Sequence, residues 1–317
     1  MLQITGVGPT FMCNGTTHSP VYDELVNSGM NRVNFSKIAA RYEERSLVQR
    51  SAADVLLKLL DIKKRDYVLD LGCGVGNMAR EVRKMTEGRV VGIDCSEGMI
   101  KEAVEKSRGL DITFETKGVE ELEDPEYAGC FDVIFCNSTF QWFRDPKKAV
   151  ENCYALLRNG GRIGVQAPAR RVYSPNFIEA IEQVKRDPEV GVIFAHFKEP
   201  WFFLETADEY RDLFEKCGFG VVLSEIECVG TEHTPEEVFN IFASGAAAGY
   251  LNQDFYDVGF GADYVSSFER IVNDSFVRQA DSQGRVLLRF NRIFLVALKA
   301  AKKIYHSGVN DCSEEQR

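Results

Sequence analysis

The chain has 317 residues, 44% of them hydrophobic and 27% charged, enough apolar material for one large core or two small ones. Its net charge of −10 would repel a phosphate backbone and no dense Lys/Arg face compensates, which disfavours nucleic acid as a partner. No stretch approaches the roughly eighteen uninterrupted apolar residues of a membrane helix, and the first residues lack a basic start followed by an apolar run, so the expectation is a cytoplasmic protein without a membrane partner.

Residues 1–30 show no periodicity and read as an irregular N-terminal arm. Across 35–60 apolar and aromatic residues recur at helical spacing, and Phe35, Tyr42 and Gln49 fall on one face, either as a lid over a ligand or as core anchors. From 67 onward strands alternate with helices: strand 67–71, helix 77–86, strand 89–94, helix 97–107, strands 111–116 and 131–136, helix 146–157 and strand 162–167. This pattern predicts an α/β fold, a mostly parallel sheet of about seven strands with helices on both faces, closed by strands at 219–228 and 285–299. A single domain then spans 31–299, followed by a C-terminal tail from 300 to 317. The stretches 168–210 and 230–284 are longer and more aromatic than simple connections require and are expected to form an inserted helical cap. In the second, residues 235–242 read as a helix with proline in its first turn. Insertions over strand ends carry specificity in such folds, so the ligand they admit is expected to be bulky or apolar in part.

Residues 68–77, Val-Leu-Asp-Leu-Gly-Cys-Gly-Val-Gly-Asn, form a strand running into a turn with glycines at 72, 74 and 76, where the backbone can approach a ligand closely. A dinucleotide fingerprint would need its third glycine at 77, which is Asn77, and the Asp70 carboxylate would repel a pyrophosphate. Asp70 therefore argues for a cationic ligand. S-adenosylmethionine fits: its ammonium and sulfonium would be drawn to Asp70, and its carboxylate to backbone N–H groups at the helix start after Gly76. The next strand ends at Asp94, a carboxylate able to accept from both ribose hydroxyls; the alternative is that Asp94, Cys95, Ser96 and Glu97 simply cap the following helix. Ligands of parallel sheets bind outside the strands' carboxyl ends, where Asp70, Asp94 and Asn137 all fall.

Nine cysteines occur without a Cys-x-x-Cys pair, and with only four histidines no metal site is expected. Cys73, Cys95 and Cys136 should line or flank the ligand cleft, where packing explains them better than thiol chemistry.

Through Asp70, Gly72, Gly74 and Gly76, Asp94 with Met99, and Phe-Asp-Val-Ile-Phe-Cys-Asn at 131–137, the chain resembles the class I S-adenosylmethionine-dependent methyltransferases, with their Rossmann-like sheet, over roughly residues 35–299. The runs Phe-Ser-Lys-Ile-Ala-Ala-Arg-Tyr at 35–42 with Gln49, Asn-Ser-Thr-Phe-Gln-Trp at 137–142 and Leu-Arg-Asn-Gly-Gly at 157–161 are similar to the group containing malonyl-carrier-protein O-methyltransferase and trans-aconitate methyltransferase. The resemblance implies S-adenosylmethionine held by Tyr42, Asp70, Gly72, Cys73, Gly74, Gly76, Asn77, Asp94, Cys95, Met99, Val119, Glu120 and Asn137. Where related chains carry an acid for the adenine amino group, this one reads Lys117-Gly118-Val119-Glu120, which leaves adenine to backbone groups or to Glu120.

Methyl transfer from a sulfonium is an in-line displacement with a neutral leaving group, so alignment and desolvation can carry it. A carboxylate acceptor needs no base, which makes carboxyl O-methylation of a small acid, free or bound to a carrier or protein, the leading expectation. Alternatives are methylation of a protein side chain, cysteine sulfur included, and a non-catalytic module that only binds the cofactor. Gln141 and Trp142 would edge the acceptor side of the cleft. Arg170 and Arg171, or else Arg289 and Arg292, would supply a cation for an acid, and His196, Tyr173 or Tyr250 a base if one were needed.

Overall fold

The computed structural model of the chain describes residues 47–122 and 125–300. The expected N-terminal arm, Tyr42 with Phe35, and the tail beyond residue 300 lie outside them.

Helix α1 (Leu47–Leu60) leads into β1 (Val68–Leu71), after which α2 (Asn77–Met85), β2 (Val90–Asp94), α3 (Glu97–Lys106), β3 (Thr113–Thr116), β4 (Phe131–Asn137), α4 (Pro146–Leu156) and β5 (Leu157–Pro168) follow in strict alternation except between β3 and β4. The seven strands order as β3-β2-β1-β4-β5-β7-β6, with β6 (Phe219–His233) and β7 (Val286–Lys299) completing one edge. All pairs up to β5 are parallel, and β7 runs antiparallel to both its neighbours. β1 and β4 are buried along almost their whole length, which is why they read as unbroken apolar runs rather than alternating ones.

Two cores hold this frame together. On one face of the sheet, α4 and a later helix α7 (Ala207–Lys216) cover Ile134, Cys136, Ile163, Val165, Ile293 and Leu295. On the other, α1 lies flat because β5 carries Gly164, where a Cβ would come within 2.9 Å of Leu56 and Leu60. Arg162 fastens the end of that helix, donating to the Leu60 carbonyl at 2.6 Å and to Asp66 at 2.7 Å.

Beyond the sheet edge a separate hydrophobic cluster is built from α5 (Pro175–Arg186), α6 (Val190–Phe194), α8 (Pro235–Ser244), α9 (Ala247–Tyr250) and α10 (Ala262–Arg278). It is aromatic throughout: Phe177 meets Phe242 edge-on at 5.1 Å, and Trp201 meets Tyr250 at 4.8 Å. Thr234 starts α8 with a capping box to Glu237 and Pro235 in the first turn, as the proline signal predicts.

The boundaries of this second body differ from the stretches marked out in the sequence. Phe202 and residues 204–216 return to the sheet, because α7 presents Tyr210, Leu213 and Phe214 at helical spacing to the first core, while Phe203 stays with the aromatic cluster. Residues 230–233 continue β6, and His233 pairs with Val286. Gly230-Thr-Glu-His233 carries no apolar alternation; it is strand because β7 offers a matching ladder, with Val286 and Leu288 anchored in the aromatic cluster.

Candidate functional site

The carboxyl ends of β1, β2 and β4 open into a cleft lined by Asp70, Gly72, Cys73, Gly74, Asn77, Asp94, Cys95, Met99, Val119, Glu120, Asn137 and Trp142. Three segments distant in sequence meet there because register places Asp70 beside Gly92 of β2 and Phe135 of β4. The turn after β1 holds Gly72 at φ 75°, Gly74 at 53° and Gly76 at 77°, all left-handed. A Cβ at Gly72 would overlap the Thr139 side chain, whereas at Gly74 no atom lies within 4 Å, so backbone faces open space. Gly76 does not line the cleft; it backs the turn, with the Phe114 ring 2.8 Å from where a Cβ would stand. It also starts α2 without a side-chain cap, leaving first-turn N–H groups for an anion.

Asp70 is 2% exposed, and its Oδ2 has no hydrogen-bond partner. Burial, reinforced by the Asp94 charge and opposed by a backbone hydrogen bond from Ala79, pushes its carboxyl up to about 7. A buried carboxylate with a free oxygen beside an open cleft asks for a cation. Asp94 accepts from Gly74 N–H at 3.0 Å through Oδ2 and from Ser96 N–H at 2.9 Å through Oδ1, and burial raises its pKa against those two bonds. The carboxylate thus ties the glycine turn to β2 and keeps lone pairs for ribose hydroxyls. Capping of α3 falls to Ser96, whose Oγ accepts from Met99 N–H at 3.3 Å.

At the far end of the cleft, Asn152 donates to the carbonyls of Val119 and Glu120 at 2.9 and 3.1 Å, fixing the backbone expected to face adenine. The Glu120 Oε1 accepts from Arg144 N–H at 2.9 Å. Lys117, Ser138, Thr139, Phe143, Met78 and Ala53 also line the cleft and were not singled out in the sequence. Ser138 and Thr139 directly follow Asn137 and were within reach of the same argument; Ala53 sits mid-helix and gave no signal.

On the acceptor side Asn137 keeps a buried Oδ1 without a partner. Gln141 is buried behind the lining rather than on it, donating to the Ser138 carbonyl at 2.9 Å. Trp142 faces the cleft and meets Trp201 of the aromatic body edge-on at 5.5 Å, joining the two. Arg170 takes φ 66°, donates its N–H to the Leu204 carbonyl, and has a buried, unpartnered Nε. Arg171 is exposed, its N–H on Glu205, and Arg289 is exposed as well. His196 is exposed at the surface against Asp257 at 2.7 Å. Tyr173 and Tyr250 are buried in the aromatic body 3.5 Å apart, and burial pushes both phenols well above their ordinary value, the wrong direction for a base at neutral pH. Among the described residues no cluster of His, Cys, Asp and Glu could hold a metal.

A sheet of this order, with a glycine turn after β1 and carboxylates ending β1 and β2, defines a class I nucleoside-binding methyltransferase architecture, and the unpartnered Asp70 oxygen beside the open Gly74 backbone fits the cationic S-adenosylmethionine. Residues 68–161 match the family model described as a methyltransferase domain. The trans-aconitate 2-methyltransferase of Rhodopseudomonas palustris strain BisB5 is 30% identical over 263 residues, covering 79% of this chain and 93% of that protein. The malonyl-[acyl-carrier protein] O-methyltransferase of Acetivibrio thermocellus is 27% identical over 183 residues, 55% of this chain and 64% of that one. The YcgJ protein of Bacillus subtilis shares the fold, with a TM-score of 0.53 at 16% identity over 79% of this chain and 99% of that one. The chain belongs to the S-adenosylmethionine-dependent methyltransferases, in the group of trans-aconitate and malonyl-carrier-protein methyltransferases. It is an enzyme with S-adenosylmethionine as methyl donor.

Proposed function

We propose that the enzyme methylates a carboxylate oxygen of a small organic acid. The observation that carries this reading is that, among the described residues, no base lines the acceptor side of the cleft. Of the titratable groups lining it, Asp70 and Asp94 would hold the cofactor's cationic and ribose groups, Cys95 follows Asp94 at the ribose end, Lys117 and Glu120 stand past the end of β3, and burial pushes the Cys73 thiol far up. No histidine or tyrosine lines it among the described residues. A hydroxyl or amine would need its proton removed, whereas a carboxylate arrives ionised. Both relatives named above act, by name, on acids, and this agrees.

In this reading the first-turn N–H groups of α2 receive the cofactor's carboxylate, and Gly118 and Val119 offer backbone to adenine. The bound cofactor supplies a methyl on a sulfonium that leaves as a neutral thioether. Trp142 and the aromatic body keep water from the reacting oxygen, and Asn137 and Thr139 align it, so positioning supplies most of the rate. The aromatic body is read as the cap over the acceptor. No helix among the described residues is long and apolar enough to cross a membrane, and a cytoplasmic enzyme meeting its acid in solution is part of the proposal.

Incubating the full chain with methyl-labelled S-adenosylmethionine and host-cell extract, then separating label by size and by lability to mild alkali, tests this. Alkali-labile label on small molecules is expected. Alkali-stable label on a discrete protein would overturn the reading, and alkali-labile label running with a small carrier would move the acid onto that carrier.

A further inference from the structure

Arg292 is a cation inside the fold, 6% exposed, midway along β7 and level with the carboxyl end of β5. Register sets its surroundings. Asn137 pairs with Gln166 and Gln166 with Phe294, while Arg292 pairs with Pro168, two residues further toward the cleft end. Paired and alternate residues share a face, so Asn137, Gln166 and Arg292 lie on the same side of the sheet, the side on which α1 packs and Ala53 reaches the cleft. With strand spacing and rise at their usual values, the Asn137 and Arg292 Cα atoms stand about 12 Å apart.

What surrounds the guanidinium does not satisfy it. It sits over the Phe290 ring, 5.0 Å from the centroid, and feels the charge of exposed Glu227 on β6. Among the described residues no hydrogen bond or ion pair reaches it. Arg162, only partly buried, is by contrast tied to two carbonyls and to Asp66. Burial brings Arg292 down to about 10, still charged at any working pH. A cation buried to this extent, with only a ring and its exposed register partner Glu227 beside it, is costly to keep. Beside it, Gln166 is 2% exposed; its Oε1 accepts from Ser138 at 3.3 Å, which leaves the amide N–H groups uncommitted among the described residues. Asn137 next to it holds the unpartnered Oδ1. On this face Gln166 stands one strand row and Arg292 two rows from Asn137, beside the residues that line the cleft rather than among them.

We propose that Arg292, with the Gln166 amide, is the specificity-determining anion site for the methyl acceptor, holding an acidic group other than the oxygen that receives the methyl. This rests on the carboxyl-methylation reading. The held group must be the non-reacting one, because pairing the attacking carboxylate with a guanidinium would withdraw the electron density it needs. An acceptor with a single carboxylate would leave Arg292 unmatched.

The test measures alkali-labile methyl ester formed from host extract at a series of dilutions, with S-adenosylhomocysteine affinity by calorimetry alongside. Arg292→Met should lower kcat/KM by roughly 30-fold or more, the loss of a charge-assisted bidentate contact, through the relative KM and with cofactor affinity unchanged. Arg292→Lys should keep part of the activity. Wild-type kcat/KM in Arg292→Met, or a loss that tracks weakened cofactor binding, would overturn the anion site and leave carboxyl methylation standing. If Arg292→Met fails to fold, Arg292→Lys decides: an unchanged KM overturns the proposal, and a several-fold rise confined to KM supports it. Absence of alkali-labile product from the wild type would remove the underlying reading, and the anion site with it.

Discussion

Asp70→Asn should make the cofactor-free protein more stable while weakening its hold on the cofactor. The folded carboxyl is raised from 3.8 to about 7 by burial and by Asp94, so folding costs the ionised form about 4 kcal/mol once pH exceeds 7, at 1.36 kcal/mol per unit. Because the folded state binds this proton more tightly than the unfolded one, stability from this group is full below about pH 4 and is lost as pH rises through about 7. Asparagine keeps the volume and can still accept from Ala79 N–H, but has no charge to bury. Urea unfolding at pH 6 and pH 8.5 should therefore show the variant more stable at the higher pH by about 1–4 kcal/mol, with a flatter pH profile. Binding of S-adenosylhomocysteine, whose ammonium prefers the ionised carboxyl, should release a proton in the wild type near neutral pH and tighten as pH rises through 7. The variant should lose roughly 10–100-fold in affinity and release no such proton. Calorimetry in two buffers of different ionisation enthalpy reads both. An Asp70→Asn protein with the wild-type pH profile, or with undiminished affinity, would refute the assignment of Asp70 as the buried cation partner.

Gly72→Ala should cost about 1–3 kcal/mol in thermal or urea unfolding and impair cofactor binding, since the position combines φ 75° with overlap on Thr139; a change under about 0.5 kcal/mol would show that the turn can relax. Asn152→Ala frees the Val119 and Glu120 carbonyls and should raise the KM for S-adenosylmethionine several-fold with kcat little changed; an unaltered KM would separate Asn152 from the adenine end. Tyr173→Phe with Tyr250→Phe should leave kcat within about 3-fold, while a loss near 100-fold would point to a general base and against a carboxylate acceptor. Gly249→Val places atoms where the Trp201 ring stands, and Trp201 abuts Trp142, so the acceptor KM should rise while S-adenosylhomocysteine affinity holds; a KM like that of wild type would uncouple the aromatic body from the acceptor.

Local sequence carried the sheet and the cofactor half of the site. Glycines at 72, 74 and 76 dictate a left-handed turn through backbone sterics alone, and apolar runs closing on Asp70, Asp94 and Asn137 mark the buried parallel strands whose ends make the crevice. Those signals are short-range and need no partner to be read. Pairing across the chain decided the rest. His233 is a strand residue because Val286 stands opposite; residues 204–216 belong to the main core because α7 turns Tyr210 and Phe214 onto the sheet. Gln141 sits behind the lining because Phe202 N–H reaches its carbonyl and its amide turns to Ser138. Arg292 is one of four arginines that the sequence offers as a cation for an acid, and only β5 and β6 closing on both sides of it bury it while Arg289 stays exposed. Burial and unmet hydrogen bonding are properties of a neighbourhood, and neighbours far apart in the chain are set only when the strands pair.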